Sequence, residues 1–148
     1  MSQTLTTVMG IDYGKARIGV AVSDPLRTFA FGQKTIFLKK QSLEAAIREI
    51  AAMALEKRVA LIVIGLPNRT DGKASDMAES VRRFAALVAD ATGCPIEFED
   101  ERFTSKMAHG SLAEAGVHGR RVRSIIDQRA AEIILQSYLD RNRPDSRL

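Results

Sequence analysis

With 148 residues, 45% of them hydrophobic, the chain has the length expected of one domain, residues 1–148, and enough apolar side chains to bury its own core. A net charge of +4 and a pI near 9.5 suit a polyanionic partner, with Arg120, Arg121, Arg123, Arg129, Arg141, Arg143 and Arg147 gathered in the last third, although a solvated charged surface explains mild basicity equally well. A single cysteine, Cys94, excludes an internal disulfide, and the absence of a signal-peptide pattern or a membrane-length apolar run predicts a cytoplasmic protein that does not enter membranes.

In chain order, Val8 to Asp12 and Ile18 to Val22 read as strands joined by a hairpin through Tyr13-Gly14-Lys15-Ala16-Arg17. A third strand is expected within Thr28 to Leu38. Ser42 then stands as an N-cap before Leu43, Ile47, Ile50 and Ala54, which recur at helical spacing. The run from Val59 to Ile64 is short and continuously apolar, as in a strand buried on both faces. Gly65-Leu66-Pro67-Asn68 and the following Arg69 to Lys73 predict a loop. A helix from about Ser75 to Thr92 keeps Val81, Phe84, Ala85 and Val88 on one face, and Gly93 ends it. Pro95 to Arg102 predicts another strand and Thr104 starts a helix. Gly116 to Arg123 shows no hydrophobic period and reads as a loop. The last helix is expected from Ser124 to Arg141, with Ile126, Ala130, Ile133, Ile134 and Ser137 near one face and a flexible tail over 141–148. Three antiparallel strands followed by alternating helices and strands predict a mixed α/β sheet flanked by helices.

The chemistry points to acids. Asp12 closes an apolar strand ahead of Tyr13-Gly14, where a carboxylate either emerges at the sheet's end or caps the turn that follows. Asp100-Glu101 close another strand, though with Glu97 and Glu99 they equally describe a solvated edge. Asp127 stands three residues after Ser124, as in a capping box, and one helical repeat before the small, apolar side formed by Ala130, Ala131 and Ile134. Carboxylates converging from two strands and a helix make an oxygen-rich negative site suited to Mg²⁺ or Mn²⁺. Such ions can cut a phosphodiester without a protein nucleophile. His109 and His118 are isolated, and neither a Ser/His/Asp nor a Cys/His arrangement stands out.

At these residues the sequence resembles the YqgF family, whose members are described as Holliday junction resolvases and as nucleases maturing the 5′ end of pre-16S ribosomal RNA. The resemblance rests on Met9-Gly10-Ile11-Asp12-Tyr13-Gly14 with Arg17 to Asp24, on Ile64-Gly65-Leu66-Pro67 with Asp71-Gly72, on Asp100-Glu101-Arg102 with Thr104, and on Asp127 followed by Ala130-Ala131 and Ile134 to Tyr138. These blocks span nearly the whole chain in family order. The resemblance implies an RNase H-like fold, Mg²⁺ or Mn²⁺ as cofactor, and Asp12, Glu101 and Asp127 as catalytic acids. The metal set is then drawn from Asp12, Asp100, Glu101 and Asp127, with Glu101 favoured over Asp100 as the third acid. Family members often carry a lysine-rich run before the last acid, where this chain has Gly119-Arg120-Arg121-Val122-Arg123. Lys15, Arg17, Arg102, Lys106, Arg120, Arg121 and Arg123 are the candidate phosphate contacts, with ordinary surface charge as their alternative. Sparse aromatics predict no base-stacking platform.

Two other functions compete. Gly10 to Gly14 also resembles the phosphate-binding turn of sugar kinases and actin-like ATPases, but those proteins close two lobes around a nucleotide and this chain has length for one. A non-catalytic nucleic-acid-binding ribosome-assembly factor would keep the same acids. Among nucleases, processing of a structured RNA precursor is favoured over cutting of four-way DNA, because a resolvase makes two symmetric cuts and needs a two-fold dimer. Monomer and homodimer both remain open, as do RNA or DNA preference, endo- or exonucleolytic cutting, and one or two metals.

Overall fold

A computed structural model of the chain describes the backbone of residues 6–39, 41–67, 72–100 and 120–142, and the side chains of these except 72–75 and 120–127. The described elements run β1 (Thr7–Tyr13), β2 (Arg17–Ser23), β3 (Ala30–Phe37), α1 (Leu43–Glu56), β4 (Val59–Leu66), α2 (Gly72–Thr92), β5 (Ile96–Asp100) and α3 (Arg120–Arg141). The strands form one sheet in the order β3-β2-β1-β4-β5. β1, β2 and β3 pair antiparallel, whereas β4 joins β1 and β5 joins β4 in parallel. This is the mixed sheet flanked by helices that the sequence predicts. α1 and α2 cover one face and α3 the other.

Period-two alternation sorts the strand residues between these faces. Met9, Ile11, Ile18, Val20, Ile62 and Ile64 meet Ile47, Ile50 and Ala54 of α1 and Val81, Phe84, Ala85 and Val88 of α2. At the edge of this core the Tyr13 ring stacks on Phe84, centroids 4.2 Å apart. The opposite face seats α3, whose Ala131, Ile134, Leu135 and Leu139 pack on Val8, Ala21, Leu61 and Val63. Each fully buried Ile or Leu contributes about 1.5–3 kcal/mol to this arrangement. β4 is buried from Leu61 through Gly65, in keeping with its continuous apolar run.

Ser42 caps α1, its side chain accepting from the Ala45 N–H at 3.1 Å. Gly93, at φ +73°, stops α2 in the left-handed conformation that glycine adopts without strain, and its N–H donates to Ala89 O at 2.8 Å. Several boundaries differ from expectation. β4 continues through Gly65 and Leu66, because the parallel ladder with β5 holds both residues. α2 begins at Gly72, three residues before Ser75. α3 begins at Arg120 instead of Ser124, so part of the expected arginine loop is helical. The sequence there lacks an apolar period, but arginine is a good helix former. Ser124 therefore lies inside the helix, where it cannot be an N-cap, and the capping-box role for Asp127 falls with it. The buried stripe of α3 includes Leu135 and Leu139, which the sequence-based face omitted, while Ile133 is only half-buried. Arg141 closes α3, where the sequence-based helix also ends. The helix expected from Thr104, the segment 116–119 and residues 143–148 lie outside the described residues.

One close approach fixes the seat of α3. A Cβ at Gly10 would lie 2.7 Å from Leu135 Cβ and 3.0 Å from the Ala131 carbonyl oxygen, so glycine at this position lets helix and strand touch. Polar contacts guide the other end of the crossing. The N–H of Ala30 donates to Gln136 Oε1 at 2.9 Å and that of Gly32 to Glu132 Oε2 at 3.1 Å, blunting the β3 edge. Helix numbering falls as β3 advances, so α3 runs antiparallel to β3 and β1, and its N-terminal half leads toward the carboxyl end of β1.

Candidate active site at the carboxyl edge of the sheet

Strand register places Asp12. It pairs with Gly19, which pairs with Thr35, while Gly65 pairs with Glu99. The parallel register of β1 and β4 runs up to Ile11 with Ile64, and its next step sets Asp12 beside Gly65. Thr35, Gly19, Asp12, Gly65 and Glu99 therefore form one row across all five strands. Val8 and Gly10 face α3, so alternation turns Asp12 to the α3 side as well. The glycine on each flank contributes no side chain to the row, with neighbouring strands about 4.8 Å away. Arg17 shares this face two residues from Gly19, at the rim of the hairpin. There Gly14 N–H donates to Arg17 O at 2.9 Å and closes the turn, with Lys15 exposed.

The acids of β5 divide by the same alternation. Ile96 packs toward α1 and α2, whereas Glu97 and Glu99 reach α3. Asp100 is exposed and falls on the side of Ile96 and Phe98, away from Asp12. The structure thus brings Asp12 and the backbone of position 127 to the same face, because α3 enters there. It does not bring Asp100 to that face. Glu101, Arg102 and Lys106 lie outside the described residues. Arg120, Arg121, Arg123 and Asp127 are described only as backbone in the first two turns of α3. Among the described residues no three acidic, histidine or cysteine side chains gather into a metal cluster.

Sequence reasoning missed a polar seam between β5 and α3. Ser137 Oγ donates to Glu99 Oε2 at 2.7 Å, and the Arg141 guanidinium pairs with Glu99 Oε1, leaving Glu99 only 4% exposed. Tyr138 OH donates to Glu97 Oε2 at 2.8 Å. Burial, reinforced by the bond to Glu97 and its negative charge, pushes the Tyr138 phenol above its ordinary pKa, so it remains a neutral donor. The available signal was the alternation of Glu97 and Glu99 opposite Ser137 and Arg141, one helical turn apart. Across the sheet Asp24 fixes the β2–β3 turn, its Oδ1 accepting from Phe29 N–H at 2.7 Å and Thr28 N–H at 2.8 Å and its Oδ2 from Leu26 N–H at 3.2 Å. Burial works to raise its pKa, but the N–H groups of Phe29, Thr28 and Leu26 outweigh that and hold it below the usual value. Asp24 therefore serves the turn and not the row.

Comparison with known proteins identifies the family. Residues 6–141 match the profile of RuvX, described as Holliday junction resolvase. The chain belongs to the RuvX family. A relative from Natranaerobius thermophilus is 41% identical over 134 residues, covering 90% of this chain and 94% of that protein. One from Myxococcus xanthus is 43% identical over 136 residues, covering 92% and 89%. One from Clostridioides difficile is 44% identical over 133 residues, covering 90% and 93%. All three are provisionally named pre-16S rRNA nuclease. Among solved structures, Thermus thermophilus RuvC in complex with a Holliday junction substrate superposes with a TM-score of 0.55 at 14% identity, covering 92% of this chain and 96% of that chain. The RNase H-like fold and the nuclease family implied by the sequence resemblance are both borne out. No described helix is long and apolar enough to cross a membrane.

Proposed function

We propose that the chain is a divalent-metal-dependent nuclease that processes the 5′ end of pre-16S ribosomal RNA in the cytoplasm, working as a single domain. The observation that carries this function is the setting of Asp12: a carboxylate on the α3 side of the sheet, flanked by two glycines, at the rim toward which the N-terminal half of α3 leads. Hard oxygen donors such as this carboxylate fit Mg²⁺ or Mn²⁺. Asp12, Asp127 and Glu101 are the residues we assign to hold the ions. Glu101 is preferred to Asp100 because alternation along β5 sends Asp100 to the opposite face. When bound, the ions supply charge neutralisation at the scissile phosphate and an activated water.

The chain's own residues prepare that site. The β1 ladder fixes the backbone of Asp12 between two neighbours, so its carboxylate is oriented before substrate arrives. Arg17 and Lys15 at the hairpin, with Arg120, Arg121 and Arg123 at the start of α3, supply the positive charge that brings a polyanion to an acidic centre. Arg102 and Lys106 are assigned to the same role. The helix N-terminus favours phosphate in the same sense.

The names of the relatives favour the ribosomal RNA precursor. Cleavage of four-way DNA is the second candidate, favoured by the family description and by the RuvC complex. Purified protein is offered both substrates with Mg²⁺, Mn²⁺ or chelator, beside the Asp12→Asn variant. Cleavage of the RNA precursor alone, lost in the chelator and in Asp12→Asn while the variant still binds RNA, is the expected result. Cleavage of the junction alone selects the second candidate, and undiminished cleavage by Asp12→Asn removes Asp12 from the chemistry.

A further inference from the structure

Glu97 and Glu99 are the two residues of β5 that point at α3, and they meet it through polar bonds. The apolar seat of α3 is built from β1, β2 and β4, with Ala30 of β3 at its margin and no residue of β5. Among the described residues, a polar seam ties the carboxyl end of β5 to the helix. A buried, paired carboxylate is an expensive tie, because desolvation offsets most of the attraction, and apolar residues of similar volume often hold two elements as well or better. Apolar contacts are, however, non-directional. A carboxylate gripped by a hydroxyl on one oxygen and a guanidinium on the other fixes both distance and rotation.

The position of this grip gives it a purpose. Glu99 stands in the row of Asp12, with only Gly65 between them, and β5 leads directly into Asp100-Glu101. Its partners Ser137 and Arg141 lie on the helix that carries Asp127. We propose that Glu99, Ser137 and Arg141 are positioning residues that set the separation of the acids contributed by β1, β5 and α3, a proposal that rests on the metal-dependent function above. The arrangement has a second effect. By pairing with Glu99, Arg141 cancels a negative charge that would otherwise stand beside the metal site and draw cations away from it.

The test uses the full chain and Mn²⁺ as the probe. Mn²⁺ affinity is measured by calorimetry without nucleic acid, and the Mg²⁺ concentration for half-maximal RNA cleavage is measured separately. Glu99→Gln and Ser137→Ala are expected to weaken Mn²⁺ binding by about 10- to 100-fold, as loss of groups that orient metal ligands does, and to raise the Mg²⁺ midpoint in step. Ser137→Thr, which keeps the hydroxyl, restores both. Tyr138→Phe removes the neighbouring tie to Glu97 alone and leaves Mn²⁺ affinity unchanged. Should Glu99→Gln fail to fold, the Ser137→Ala and Ser137→Thr pair decides by itself. Affinity within twofold of wild type in folded Glu99→Gln and Ser137→Ala overturns the proposal, as does an equal loss in Tyr138→Phe. A wild-type protein that binds no Mn²⁺ and cleaves nothing with any divalent ion removes the metal-dependent function itself, a different failure from normal wild-type behaviour with indifferent variants.

Discussion

Replacing Gly10 by alanine tests whether the seat of α3 sets the site. The added Cβ would stand 2.7 Å from Leu135 Cβ and 3.0 Å from Ala131 O, whereas carbon atoms rest about 3.5–4.0 Å apart. About 1 Å must therefore be found. Neither obstacle is the free end of a side chain, since one is a Cβ and the other a backbone oxygen, so the helix has to move as a body. Overpacking of this kind costs about 1–3 kcal/mol, from which the reduced chain entropy of alanine in the unfolded state returns up to about 1 kcal/mol. A net loss of about 1–2 kcal/mol lowers Tm by roughly 2–8 °C in a chain of this length. Activity should fall further than stability. α3 carries Asp127, and a misplacement of about 1 Å at a reacting centre costs about 100-fold. Thermal melts, together with Mg²⁺-supported cleavage of the RNA precursor at a temperature where both proteins are folded, read the two effects separately. A Tm within about 1 °C of wild type and a cleavage rate within about twofold would refute the reasoning, because the helix would then have absorbed the methyl group without moving the site.

Three other outcomes follow from the same geometry. Gly65→Ala adds a methyl group between Asp12 and Glu99 on the α3 face and should weaken Mn²⁺ binding by more than about tenfold in calorimetry; unchanged affinity would mean that the metal does not use this space. Arg17→Ala should weaken RNA binding alike for different sequences and reduce the slope of log K against log salt by about one unit, as loss of a single phosphate contact does; an unaltered slope removes Arg17 from the interface. Asp24 has a lowered pKa in the folded chain, so its contribution to stability is fully present above its unfolded value of about 3.9 and is lost as pH falls through the folded value. Asp24→Ala should accordingly cost about 1 kcal/mol at neutral pH by thermal melt, with the gap to wild type closing below about pH 4.

Much of the fold was legible because each element carries a local physical signal: the apolar runs of β1, β2 and β4, covered on both faces, and the Ser42 and Gly93 caps. What was missed depended on tertiary pairing. Gly65 and Leu66 read as a break after an apolar run, yet the ladder to β5 keeps them in the strand. Arg120 to Arg123 read as a loop because no apolar face appears, yet the backbone there is helical, in keeping with the helix propensity of arginine. Asp12 was legible as a candidate from its place at a strand end. The glycines beside it were not, because Gly19 and Gly65 are 46 residues apart and become neighbours of Asp12 only through register.

The acidic run Glu97, Glu99, Asp100 and Glu101 shows why composition alone misjudged this edge. Read as a string, it suggests a solvated strand or a single cation cage. Strand pleating separates it, sending Glu97 and Glu99 to α3 and Asp100 to the opposite side. The two that face the helix are each matched by a donor, Tyr138 for Glu97 and Ser137 with Arg141 for Glu99, so their charge is answered within the protein. Asp12 stands in the row of Glu99, between Gly19 and Gly65. The arginines of the last third divide likewise: Arg141 is committed to Glu99 near the end of α3, whereas Arg120, Arg121 and Arg123 stand in its first turns.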